Sequence, residues 1–212
     1  MPRAGATPKE EGGARAERSQ ARREAILAAA LDEFAARGFA ATRLDDVAKR
    51  AGVAKGTIYL HFRDKEALFQ EIVRVEISPI ISIVEHAPDL QIPVRILIEQ
   101  LLQKFVTEVL GTRRRDIIRL MITEGPRFPA LAEFYYREVV GRAVPAIRIV
   151  MRRAAERGEL PNDALARFPQ LLVAPALMTI IWNSLFDKID PLDAQALMRA
   201  HLDLVFATGR DS

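Results

Sequence analysis

The side chains whose types and spacing could perform chemistry lie close together near the start of the chain. Residues 44–62 read LDDVAKRAGVAKGTIYLHF, with two short helical stretches on either side of a turn at Gly52-Val53. Two helices joined by such a turn are typical of a helix-turn-helix, whose second helix enters the major groove of DNA. The second stretch carries residues that can meet phosphates and base edges: Lys55, Gly56, Thr57, Tyr59 and His61.

Apolar residues at fixed positions would hold these two helices together. Gly52 can adopt the turn conformation without a Cβ clash, and Ile58 and Phe62 lie four residues apart, so they would face inward. Lys55 and Gly56 would then lie at the N-terminus of the second helix, where free N–H groups and the helix dipole favour a phosphate. The pattern therefore predicts DNA recognition.

The composition argues against other kinds of chemistry. The chain has 212 residues and no cysteine, which excludes thiol nucleophiles, zinc–thiolate sites and disulfides. Its three histidines are far apart in the sequence, so we expect no metal site, no catalytic residue and no cofactor. The N-terminus lacks the apolar stretch of a secretory signal, which favours a cytoplasmic protein.

Helical periodicity runs through the chain, and no segment keeps the alternation of a strand. We expect an all-α fold, in which an N-terminal three-helix domain with the helix-turn-helix is joined through a long helix to a C-terminal helical ligand-binding and dimerisation bundle. The predicted domains are a disordered arm over 1–14, a DNA-binding domain over 15–63, and an effector-binding and dimerisation domain over 64–212.

Breaker and capping residues set the expected helix boundaries. Gly38 would end the first helix, Thr42 would open the second by a capping pattern, and Asp64 would cap the fourth. Later helices are expected near 92–110, 114–124, 129–157, 164–187 and 193–208.

Residues from about 22 to 69 resemble the DNA-binding domain of the TetR (tetracycline-repressor) family of bacterial transcriptional regulators. The matching stretches are ILAAALDEFAARGFAATRLDDVAKRAGVAKGTIYLHF and DKEALF, with one departure at Ala54, where the family usually has a serine cap. The resemblance implies a homodimeric repressor that a small lipophilic effector releases from a palindromic operator. The residues that it assigns to double-stranded operator DNA are Thr42, Arg43, Lys55, Gly56, Thr57, Tyr59, His61 and Lys65.

The resemblance, rather than the spacing, also implies that a small molecule binds in the C-terminal domain. Aromatic and methionine side chains suit a roomy apolar pocket, although a stripe of them is more often plain core. The candidates to line the pocket are Phe105, Met121, Phe128, Phe134, Tyr135, Met151, Met178 and Trp182.

The stretch 168–186 carries no charge over 19 residues. Two prolines and several polar residues interrupt it, so we predict a helix buried in the core and against a partner subunit rather than a membrane span. With the helix near 193–208 it would form a four-helix bundle between two subunits. The expected interface residues are Leu172, Thr179, Leu197, His201 and Leu204.

The fourth helix is the element expected to connect the DNA-binding domain to the effector cavity. Its apolar side, with Leu68, Ile72 and Val75, should pack on the first helix and the C-terminal body. Pro79 should kink it, because proline removes a helical hydrogen bond and clashes with the preceding turn. Effector binding would shift this helix and change the spacing of the two recognition helices.

Two other classes of protein stay open at this point. One is a DNA-binding regulator that responds to a protein partner instead of a small molecule. The other is a helical enzyme with an apolar substrate cavity, for which the sequence offers no nucleophile–base pair, no metal spacing and no phosphate loop.

Overall fold

The computed structural model describes residues 8–207 of the chain, with side chains from residue 17 onward. Within that range every regular element is a helix and no strand occurs, which confirms the predicted all-α fold. The chain divides into two units between residues 72 and 73, whereas the sequence predicted a boundary after residue 63. We refer to them as the first unit and the second unit.

The first unit holds the helix-turn-helix. Its first helix begins at Pro8, inside the stretch for which the sequence predicted a disordered arm, and residues 1–7 of that stretch lie outside the described residues. The last helix continues past the boundary of the unit. The helices are α1 (Pro8–Ala41), α2 (Leu44–Arg50), α3 (Lys55–His61) and α4 (Lys65–Glu76).

Three fully buried phenylalanines form the aromatic core of the first unit. The ring centroids of Phe34 and Phe39 are 5.3 Å apart, and each lies 6.2 Å from that of Phe69. Tilted and edge-on arrangements of this kind are favoured by the quadrupoles of the rings. Gly38 interrupts α1 between the first two phenylalanines with φ at 76°, a conformation that favours glycine and that matches the predicted stop.

A buried carboxylate connects α1 to α2. Glu33 is 3% exposed, and Arg50 Nε lies 2.6 Å from one of its oxygens while Arg37 Nε lies 3.2 Å from the other. Arg37 also reaches Asp46 on α2 at 3.3 Å. The hydrogen bond from Arg50 to Glu33 raises the pKa of Arg50 above its ordinary value. Paired charges therefore fix α2 on α1, because an unpaired buried carboxylate would be strongly destabilising.

The second unit is a bundle of eight further helices within the described range. Two π-helical turns, Val106–Leu110 and Tyr136–Val140, follow α6 and α8, and short 3₁₀ turns lie at Ala87–Asp89 and Gly125–Arg127. The helices are α5 (Ser78–Glu85), α6 (Val94–Phe105), α7 (Arg114–Glu124), α8 (Pro129–Tyr135), α9 (Gly141–Glu156), α10 (Ala164–Arg167), α11 (Gln170–Phe186) and α12 (Ala194–Val205).

The predicted fourth helix is two helices in the structure. Helix α4 ends at Glu76, and Pro79 lies in the first turn of α5. The break that the sequence predicts at Pro79 is therefore confirmed: the helix is interrupted at Ile77, and Pro79 stands in the first turn of α5, where the N–H that it lacks would have no partner. Leu68 and Ile72 are buried as predicted, but Val75 is 40% exposed and so the prediction that it packs is wrong.

Buried side chains from α6, α9, α11 and α12 form the core of the second unit. Ile98, Met151, Ala176 and Leu202 belong to this cluster. At its edge, Arg142 on α9 donates two hydrogen bonds to Glu85 on α5, at 2.8 and 2.6 Å. That bidentate pair lowers the pKa of Glu85, as expected when a cation stabilises the ionised form.

Candidate nucleic-acid interface

The turn between α2 and α3 has the geometry that the sequence predicted. Gly52 has φ at +67°, and its N–H donates to the carbonyl of Lys49 at 3.3 Å, while the N–H of Val53 donates to the carbonyl of Ala48 at 3.0 Å. This pair of bonds is a Schellman motif. An added Cβ at Gly52 would meet no atom within 4 Å, so the positive φ, rather than lack of space, requires glycine.

Helix α3 has one buried face and one exposed face. Ile58 is fully buried and Phe62 is 5% exposed, which confirms that both residues point inward. Tyr59 is 48% exposed and Leu60 is 86% exposed on the other side of the helix. Ala54 provides no side-chain cap, so α3 depends on its two anchors.

Most of the residues assigned to DNA by the family resemblance are accessible. Thr57 is half-buried, and the side chains or backbone of five others are exposed: Arg43, Lys55, Gly56, Tyr59 and His61. These six residues all lie between the start of α2 and the end of α3, so one molecule could contact them together.

Thr42 does not belong to this surface. It is 2% exposed, and its hydroxyl donates to the carbonyl of Gly38 at 2.8 Å. Helix α2 begins at Leu44 after Arg43, without a side-chain cap, so the predicted cap and phosphate contact of Thr42 are both wrong. Asp64 does cap α4, since its Oδ1 accepts from the N–H of Ala67 at 2.7 Å.

Lys65 has a structural role that the sequence did not predict. Its ammonium donates to the carbonyls of Phe39 and Ala40, both at 2.7 Å, and to that of Thr42 at 3.4 Å. The three N–H donors therefore satisfy carbonyls at the C-terminal end of α1, where a positive charge is favourable. The predicted DNA contact of Lys65 stays a prediction, and it would require the ammonium to exchange one of these carbonyls for a phosphate.

Asp45 is not among the residues predicted from the sequence, although it contacts two of them. Lys55 Nζ lies 2.7 Å from Asp45 Oδ2, and the hydroxyl of Tyr59 lies 3.4 Å from Asp45 Oδ1. The hydrogen bond between lysine and carboxylate lowers the pKa of Asp45 and raises the pKa of Lys55. These residues are ten and fourteen positions apart in the sequence, and no local pattern links them.

Neither lack of space nor backbone conformation requires a glycine at position 56. A Cβ added there would meet nothing within 4 Å, and its φ lies outside the left-handed region. Glycine inside a helix destabilises by about 0.5–1 kcal/mol relative to alanine. Close approach of another molecule to the α3 backbone would explain a glycine at this position.

The eight residues predicted to line an effector pocket lie in different surroundings. Phe134 and Met151 are buried in the core and Met178 is 51% exposed, so their place in a pocket stays a prediction. Trp182 donates from Nε1 to the carbonyl of Asp190 at 2.6 Å, at the end of α11. The other four are half-buried: Phe105, Met121, Phe128 and Tyr135. Burial raises the pKa of Tyr135 well above its ordinary value.

Two cavities of the second unit are lined by different residues. An open cavity of about 750 Å³ lies between α6 and α12, with Gln103, Lys104 and Met198 among its lining residues. A second cavity of about 300 Å³ lies beside the π-helical turn that follows α6, with Arg115 and Thr179 in its wall. None of the eight predicted residues lines either of them.

The residues predicted for the dimer interface divide between the core and the surface. Leu172 and Thr179 are 3% and 4% exposed, because they lie on the face of α11 that packs in the core, so both predictions are wrong. Leu197 and His201 are half-buried and Leu204 is 78% exposed. The opposite face of α11 exposes a row of apolar side chains: Leu171, Ala174, Met178, Ile181 and Leu185.

No group of three or more His, Asp or Glu side chains between residues 8 and 207 is placed to hold a metal ion. No helix in the same part of the chain is long and apolar enough to cross a membrane.

Comparison with known proteins agrees with the arrangement of the helices. Residues 26–72 match the model of bacterial regulatory proteins of the tetR family, and residues 97–203 match that of the tetracyclin repressor-like C-terminal domain. The HTH-type transcriptional regulator AcrR of Shigella flexneri is 28% identical over 172 residues, 79% of this chain and 80% of that protein. TtgR of Pseudomonas putida is 28% identical over 196 residues, 89% of this chain and 93% of that protein.

A solved structure has the same fold. SmeT, the repressor of the Stenotrophomonas maltophilia multidrug efflux pump SmeDEF, superposes in its complex with triclosan with a TM-score of 0.70. The superposition covers 89% of this chain and 93% of SmeT at 24% sequence identity.

Two glycine substitutions distinguish an effect on the free energy of unfolding from an effect on DNA affinity. We expect Gly56→Ala to raise the free energy of unfolding by about 0.5–1 kcal/mol and to weaken DNA binding, because its methyl group would stand between α3 and the DNA. The control, Gly52→Ala, should lower the free energy of unfolding by about 1 kcal/mol. Chemical denaturation and DNA titration measure the two effects. Unchanged DNA affinity of Gly56→Ala would contradict the close approach.

Proposed function

The chain belongs to the TetR family of bacterial transcriptional regulators, and from this premise we propose that it is a homodimeric repressor, released from a palindromic operator by a small lipophilic effector. The observation that carries the proposal is the exposed face of α3, where Lys55 and Tyr59 point away from the core while Ile58 anchors the helix. The surface of α3 is therefore free to enter the major groove.

Operator recognition would use two copies of α3. In a two-fold dimer, the recognition helices lie in successive major grooves about 34–36 Å apart, so the operator should be a palindrome with half-sites one helical turn apart. Lys55 and Arg43 would bind phosphates or guanine, and Tyr59 would donate to a phosphate or contact a thymine methyl. The glycine at position 56 would let the backbone approach the DNA.

The first test removes two exposed side chains of α3 in turn. We expect Lys55→Ala and Tyr59→Ala each to weaken binding to the duplex that the wild-type protein selects from random-sequence DNA. Lys55→Ala should also reduce the slope of log affinity against log salt by about two for the dimer, because one phosphate contact is lost in each subunit. Lys104→Ala, which loses a lysine of the second unit that is paired with Glu108, is the matched control. Wild-type affinity in both α3 variants would refute the assignment of the recognition helix.

The exposed face of α11 supports the dimer. Its apolar side chains recur at intervals of three and four residues, which forms one stripe along a helix. Contiguous exposed apolar patches are typical of protein–protein contacts. Leu204 on α12 is 78% exposed, so α11 and α12 of each subunit could pack together as a four-helix bundle. This interface replaces the one predicted from Leu172 and Thr179.

A charge in that stripe should prevent dimerisation. Ile181 is 41% exposed, so Ile181→Glu should leave the folded subunit intact while placing a carboxylate in the apolar contact. We expect a monomer at micromolar concentration by sedimentation velocity. Leu90→Glu, at a residue that is 52% exposed but outside α11 and α12, should remain dimeric. Sedimentation of Ile181→Glu as a dimer would contradict the proposed interface.

The second unit would hold the effector. The two cavities support a site for a small molecule, because their volumes fall in the range of about 300–1,000 Å³ that is typical of ligand pockets. Their walls combine apolar side chains with a larger number of charged and polar ones. SmeT, which shares the fold, binds triclosan, so a lipophilic effector is the class that we propose. Helix α4 begins in the first unit and ends in the second, so it would transmit the change.

Coupling between effector and operator can be measured directly. A thermal-shift screen of lipophilic compounds, beginning with triclosan, identifies a ligand. That ligand should lower operator affinity by about 5–150-fold, and the operator should weaken the ligand by the same factor. Pro79→Ala should change this factor more than it changes either affinity alone, because Pro79 lies where α4 passes to α5. Independent binding of ligand and operator would contradict the proposed release.

A further inference from the structure

An acidic side chain lies among the residues expected to contact DNA. We call Asp45, Lys55 and Tyr59 the Asp45 cluster. Asp45 accepts from Lys55 Nζ at 2.7 Å with one carboxylate oxygen, and the Tyr59 hydroxyl lies 3.4 Å from the other. The side chains of Lys55 and Asp45 are 68% and 48% exposed, so all of the cluster faces solvent on the outer side of the helix-turn-helix.

The fold does not need Asp45 for its stability. Helix α2 is attached to α1 by the ion pairs Arg50–Glu33 and Arg37–Asp46 and by its buried side chains Leu44 and Val47. An acid in the first turn of a helix stabilises it, but Asp46 lies in the same turn and has the same effect. An exposed ion pair such as that of Asp45 with Lys55 adds little to stability.

The same carboxylate would act against DNA that offers only phosphates. Non-specific binding depends on phosphate contacts, so Lys55 would have to leave Asp45 for a phosphate. Asp45 would then be an unpaired anion facing other anions, with only the nearby charge of Arg43 to compensate. A specific site offers more, because the cytosine N4 amino group donates to an Asp and guanine accepts from a Lys. Operator DNA can therefore replace the contacts of the cluster, and phosphates alone cannot.

We infer that Asp45 is a specificity-determining residue, which holds Lys55 and Tyr59 away from DNA of unrelated sequence and releases them to the operator. The inference rests on the proposed function as a DNA-binding repressor. In this role the carboxylate disfavours binding that uses phosphate contacts alone, so Asp45 discriminates by an unfavourable contact.

The test compares two neighbouring substitutions that remove the same charge. Asp45→Asn should raise affinity for random-sequence duplex DNA by about two- to fivefold for each bound subunit, the scale of one exposed ion pair. The slope of log affinity against log salt should steepen by about one for each bound subunit, since Lys55 becomes free for a phosphate. Affinity for the duplex that the wild-type protein selects should rise less or fall. The ratio of affinity for the selected duplex to affinity for random-sequence duplex should therefore fall. Asp46→Asn, whose carboxylate pairs with Arg37, should leave that ratio unchanged.

Several results would overturn the inference. An equal fall of the ratio in both variants would mean that net charge alone matters. An unchanged ratio in Asp45→Asn would mean that the cluster does not discriminate. In a Lys55→Met background the effect of Asp45→Asn should shrink, and an undiminished effect would indicate simple repulsion of phosphates. Absence of salt-dependent DNA binding by the wild-type protein would instead refute the proposed function itself.

Discussion

Burial of Ile58 is the constraint on which the DNA-facing surface depends. Helix α3 has only seven residues and no side-chain cap, and a helix of that length is not stable alone in water. Its position is fixed because Ile58 is fully buried, because Gly52 closes a tight turn to α2, and because Glu33 holds α2 on α1 through Arg50. The orientation of Lys55 and Tyr59 therefore follows from packing on the opposite face of the same helix.

Within the first unit, the sequence could predict the features whose causes are local. The turn at Gly52 and the inward positions of Ile58 and Phe62 depend on residues within one or two helical turns of each other, and all three are confirmed. Thr42 and Lys65 depend instead on backbone carbonyls at the end of α1, which the fold brings to them. The sequence does not indicate whether a polar side chain near a predicted DNA-binding surface already donates to a backbone carbonyl of the same fold.

In the second unit, residue type alone could not decide between core, cavity and interface. Helix α11 is apolar on all sides, so its periodicity does not indicate which face is buried. The structure buries Leu172 and Thr179, for which the sequence predicted the dimer interface. It exposes Met178, for which the sequence predicted a pocket, and it also exposes Ile181. Phe134 and Met151 are core residues for the same reason: an apolar side chain packs equally well against protein or ligand.

The dimer and the Asp45 cluster would act on site selection together. A two-fold dimer uses the cluster twice, and effects at two independent sites multiply, so about two- to fivefold per subunit becomes about four- to 25-fold for the complex. A genome offers so many competing sites that occupancy of an operator depends on the ratio of specific to non-specific affinity. The same ratio would matter after the effector has released the dimer from its operator. The unfavourable contact of Asp45 would then keep the released dimer from binding other DNA. An ion pair that contributes little to folding would in this way contribute substantially to regulation.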